Sequence, residues 1–188
     1  MAQKTDYTVK LDEMAALIVQ AAGQRRSAGL HTQVKERYAQ LFDRLYHDFI
    51  TPIEREDIAR IGQGLCRLAQ SMEFVCAASD RYRTADLPCE WQTVLTVLDS
   101  ACQHLQKLLS SFWHFRKENG WWKQQQLLCA DMDRGIGVCR EAVAALFRHS
   151  DALHIRQMRM GMYADMELCF RQMAEIADAV EVAVLKNI

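Results

Sequence analysis

Proline is almost missing from this chain: only Pro52 and Pro88 occur, and both stand where a helix should begin. Net charge is missing as well. With 23 Lys and Arg against 24 Asp and Glu, no overall field exists to hold nucleic acid or an anionic lipid surface. The seven cysteines, Cys66, Cys76, Cys89, Cys102, Cys129, Cys139 and Cys169, form no C-x-x-C pair. An odd, scattered set reads as reduced thiols serving as small core residues in a cytoplasmic protein. No window offers the roughly 18 to 20 apolar residues of a membrane span, and residues 1–10 lack the apolar stretch of a signal peptide. The histidines, among them His31, His104 and His154, fall at no H-x-x-x-H or H-E-x-x-H spacing, so they read as structural. Gly62-x-Gly64 and Gly135-x-Gly137 lack the strand and third glycine of a nucleotide-binding loop. No G-x-S-x-G or Cys/His/Asn set supplies a nucleophile, so an enzyme is not expected.

What is present is helix. Half of the residues are apolar, and at 188 residues the chain is long enough to bury roughly 70% of its unfolded surface, as one domain or two small similar halves. Apolar residues recur at steps of three and four in six segments: about Val9 to Arg26, Leu30 to Asp48, Pro52 to the break at residues 84–88, Cys89 to Glu118, Trp121 to His149, and Ala152 to Leu185. Ser27-Ala28-Gly29 and Asn119-Gly120 supply the stops. The expected fold is all-α, six long antiparallel helices in bundles joined by short turns. Val34, Tyr38, Leu41, Phe42, Leu45 and Phe49 make the apolar side of the second segment. Gly62 and Gly64 weaken the third, which predicts close helix contact there. The methionines of the last segment, including Met158, Met162, Met166 and Met173, read as core; Met160 falls off their seam. Around the Asn119-Gly120 turn, Trp113, Trp121 and Trp122 are too many large rings for a narrow bundle, so they and Met160 are candidate partner-contact residues.

The densest local signal is Phe49-Ile50-Thr51-Pro52-Ile53-Glu54-Arg55-Glu56-Asp57-Ile58. Thr51 is a good N-cap, Pro52 fits the first helical position, and Glu54 stands three residues after Thr51, as a capping box requires. Glu54, Glu56 and Asp57 place negative charge at the positive end of the helix dipole.

These ten residues also resemble the central motif of the PhoU-like phosphate transport regulators called DUF47, or Pit accessory proteins. Leu41 and Leu45 ahead of the motif, Glu141-Ala142 with Leu146-Phe147, and the ending Val184-Leu185-Lys186-Asn187 are similar to the same family. The resemblance implies two three-helix bundles, with halves at about residues 1–84 and 85–188. It also implies a cytoplasmic, non-catalytic regulator that contacts a Pit-type phosphate transporter, peripheral to the inner membrane through it; a homo-oligomer is compatible with it. The family carries Glu/Asp-x-x-x-Asp pairs that are implied to bind transition metals, because carboxylates four residues apart share one helix face. Here His31 and Lys35, the run Cys66-Arg67-Leu68-Ala69-Gln70, and Met132 with Ile136 stand at those places, and Glu167 is followed by Arg171. A metal-depleted member without a resident cofactor is therefore expected, with Asp131, Asp133 and Glu167 left as candidates for a divalent metal. The alternative is a metal- or small-ligand-binding bundle with its site among Asp131, Asp133, Asp165, Glu167 and Glu175.

Overall fold

Apolar spacing becomes six α-helices in the computed structural model, which describes residues 6–25, 28–81, 88–115, 120–148 and 152–187, with the backbone alone at 79–81. They are α1 (Asp6–Gln24), α2 (Leu30–His47), α3 (Arg55–Arg81), α4 (Cys89–Ser111), α5 (Gly120–Leu146) and α6 (Leu153–Leu185), and no strand occurs among the described residues. A short 3-10 turn, Phe112–His114, follows α4. The chain is all-α.

Neighbours in sequence pack against one another, α1 on α2, α2 on α3, α4 on α5 and α5 on α6, while α1 on α4 and α3 on α6 close the ring. Ion pairs show the antiparallel sense. Arg44 meets Asp6 and Arg37 meets Glu13 between α1 and α2; Lys186 meets Asp57 and Arg67 meets Glu175 between α3 and α6. One end of the bundle therefore gathers the ends of α2, α4 and α6 and the starts of α1, α3 and α5. The two halves share one apolar core to which every helix contributes, with Trp91, Phe112 and Phe170 fully buried in it.

Glycine sets the helix spacing at three places. A Cβ on Gly62 would lie 2.8 Å from the Tyr38 ring, one on Gly64 would lie 2.6 Å from Ile176, and one on Gly135 would collide with the Phe170 ring. The close contact expected at Gly62 and Gly64 is present, and Gly135 adds a third. Gly29, with φ of 75°, takes the left-handed conformation that glycine tolerates and turns the chain into α2.

Several boundaries differ from the pattern. α3 begins at Arg55 rather than Pro52, and the capping box is not formed. The Thr51 hydroxyl donates to the Ile53 carbonyl at 2.7 Å, and the Glu54 carbonyl accepts the first helical bonds from Asp57 and Ile58 at 3.1 and 3.3 Å. The cause is tertiary: Ile53 turns into the core, and Lys186 captures the Glu54 carboxylate. α1 ends at Gln24, and Arg25 adopts φ of 52°. α4 ends at Ser111, where Phe112 tightens into the 3-10 turn to stay buried. α5 ends at Leu146. Glu118, Asn119, His149, Ser27 and the break at 84–87 lie outside the described residues. Only Cys102, Cys139 and Cys169 are buried core thiols; Cys66 and Cys76 are half-buried, and Cys89 and Cys129 lie on outward helix positions. Of the last helix's methionines, Met162, Met166 and Met173 are core, as expected, and Met158 is half-buried.

Candidate functional site

The ten-residue signature lies at the corner between α2 and α3, and each charged group except Glu56 is held there by an internal contact. The Arg55 guanidinium turns back onto the end of α2, donating to the Asp48 carbonyl and, at 3.1 Å, to the Phe49 carbonyl. A cation on those last carbonyls answers the negative end of the α2 dipole. The Asp48 carboxylate accepts the Tyr7 hydroxyl from α1, and burial together with that contact pushes the Tyr7 hydroxyl up to about 12. Lys186, just past α6, donates to Glu54 at 2.8 Å and to both oxygens of Asp57 at 3.1 and 3.2 Å. These two carboxylates hold the Lys186 ammonium above its ordinary pKa. Asp57 is only 1% exposed, so this ammonium compensates a carboxylate that is out of water.

The braced corner carries unburied apolar side chains. Phe49 is 94% exposed and Ile50 83%, and Phe42 and Tyr46 extend the patch back along α2 at a spacing of four. Phe42 and Phe49 were expected in the core and are not there. α2 carries two apolar stripes, and its one inward face is already filled by Val34, Leu41 and Leu45. Phe49 also lies beyond the helix end at His47, where helical phase no longer governs its direction. Exposed aromatic and aliphatic side chains grouped on one corner are the kind of feature that protein contacts use.

Of the other candidate contact residues, the three tryptophans lie at the same end. Trp121 is buried, its ring edge-on to Trp122, and Trp113 is half-buried beside Phe112. Trp122 is 45% exposed and is the one large ring of that group open to a partner. Met160, on the far half of α6, packs against the core. Phe42, Tyr46 and Ile50 were missed as surface residues; the signal was the second apolar stripe on α2.

Three of the carboxylates considered for a metal, Asp131, Glu167 and Glu175, have partners of other kinds. Asp131 Oδ2 accepts from Ser100 Oγ at 2.6 Å and lies 2.9 Å from His104 Nδ1, pinning α5 to α4. Glu167 Oε1 accepts from Arg171 at 2.6 Å and Arg140 at 3.3 Å, and the Arg171 hydrogen bond foremost lowers its pKa. Glu175 pairs with Arg67 at 3.1 Å, and Asp133 is exposed. Among the described residues no three His, Cys, Asp or Glu side chains are grouped as metal ligands, so Asp131, Asp133, Asp165, Glu167 and Glu175 do not form one site. Burial pushes the Cys66 thiol up to about 11 and Cys139 to about 12, and burial with nearby carboxylates raises Cys129, which makes these three poor nucleophiles. Among the described residues no helix is long and apolar enough to cross a membrane.

No known protein-family model matches the chain, and no curated protein matches it.

Proposed function

We propose that this chain is a non-catalytic, PhoU-like accessory protein or regulator of inorganic phosphate transport, acting through contacts with a Pit-type transporter at the cytoplasmic face of the membrane. The observation that carries the proposal is the α2–α3 corner, where internal contacts hold Arg55, Glu54 and Asp57 while Phe49 and Ile50 face outward. A rigid corner with free apolar side chains can bind without chemistry, because little ordering entropy is left to lose on association. The ten-residue signature and the six-helix, all-α architecture support the family reading. In this reading no cofactor takes part, since Glu167 faces two arginines and Asp131 faces Ser100 and His104. For the alternative, a metal- or small-ligand-binding bundle, no group of three His, Cys, Asp or Glu side chains is assembled as metal ligands among the described residues.

Affinity capture from native membranes tests the proposal, comparing the unaltered chain with a Phe49→Ser/Ile50→Ser variant of unchanged helicity. A phosphate transporter should be enriched with the first and lost with the second. Repeated absence of any transporter, or equal enrichment by both, would contradict it.

A further inference from the structure

The α2–α3 corner is acidic as well as apolar, although the whole chain is nearly neutral. Six carboxylates gather at it: Asp6, Asp43, Asp48, Glu54, Glu56 and Asp57. Among the described residues four cations accompany them, and three are committed internally. Arg44 is held by Asp6 at 2.7 Å, Arg55 by the carbonyls at the end of α2, and Lys186 by Glu54 and Asp57; Arg60, one turn into α3, is exposed. Asp43, Asp48 and Glu56 have no Lys or Arg partner among the described residues, and Asp43 has only His47 at 3.6 Å. Phe42, Tyr46, Phe49 and Ile50 are therefore rimmed by uncompensated negative charge.

We propose that this corner receives a basic, apolar segment of a membrane protein, of the kind a cytoplasm-facing loop supplies. The inference rests on the docking reading above and specifies the chemistry of the partner. Three occupants compete for an exposed apolar patch, and charge separates them. A second copy would set one acidic rim against its twin, and an anionic bilayer would likewise be repelled. Cytoplasmic loops of membrane proteins carry an excess of Lys and Arg close to apolar segments, which complements both features of the corner.

Two fluorescently labelled peptides test this, sharing the same Leu and Trp positions and differing only in Lys or Glu between them. Fluorescence anisotropy should show the Lys peptide binding the full-length protein, more weakly as salt rises, and the Glu peptide not binding. Asp43→Lys/Glu56→Lys should weaken the Lys peptide by about tenfold, and Phe49→Ser/Ile50→Ser should remove binding. Equal binding of the two peptides, or no effect of the charge reversal, overturns the inference and leaves the apolar docking reading in place. No effect of Phe49→Ser/Ile50→Ser sinks both. Phe49-dependent self-association in sedimentation, or tighter adsorption to phosphatidylglycerol vesicles than to the Lys peptide, also overturns it. The peptide and salt comparisons use the unaltered protein, so they decide the matter even if a variant misfolds.

Discussion

Lys186 shows how a single side chain can hold a corner that sequence spacing does not connect. It lies 129 positions from Asp57 and supplies the ion pair that a carboxylate with 1% exposure needs. Removing one partner of such a pair costs more than the pair is worth, because the remaining charge stays out of water. Lys186→Ala should therefore lower the melting temperature, and most of the loss should disappear when Asp57→Asn is already present. A thermal double-mutant cycle measures this, and additive effects would show that the two groups are not coupled. The same residue explains the misplaced start of α3. The spacing of Thr51 and Glu54 is that of a capping box, and nothing local reveals that Lys186 takes the Glu54 carboxylate or that Ile53 turns inward.

Helix periods located all six elements, because long amphipathic segments carry a strong 3.6-residue signal. Their ends were less legible where a tertiary contact decided them, as at Phe112 and Arg55. The stripe Val34, Leu41, Leu45 was readable as core, but Phe42 and Phe49 share its composition and differ only in which way they face. That direction depends on which helices flank α2. Glycine spacing was legible at Gly62 and Gly64, whereas the role of Gly135 needed the position of Phe170. Gly135→Ala should cost about 1 to 3 kcal/mol, since the new methyl meets the Phe170 ring between α5 and α6. Gly137→Ala, two residues further on with nothing within 4 Å, should instead stabilise by up to about 1 kcal/mol. Urea denaturation of both variants checks the contrast. Equal shifts would mean that α5 and α6 do not approach as described.

Across the whole molecule, burial makes the fold sensitive to alkali. Tyr7 and Tyr163 rise from 10.0 to about 12, and Cys66 and Cys139 from 9.0 to about 11 and 12. In every case the unfolded chain loses its proton first. The stability tied to these groups is therefore complete below about pH 9 and falls as pH rises toward 12. Urea midpoints under reducing conditions should hold steady from pH 7 to 9 and drop by pH 11; a constant midpoint through pH 11 would contradict the burial of these groups. The closed ring of six helices fixes the α2–α3 corner, and the proposal is that the exposed side chains there meet a membrane transporter. Photo-crosslinking in native membranes tests this most directly, using a benzoylphenylalanine in place of Ile50 and, as a control, in place of Gln92 at the far end of α4. The account predicts a crosslink to a phosphate transporter from position 50 and none from position 92. No transporter adduct from position 50, or equal adducts from both, would contradict it.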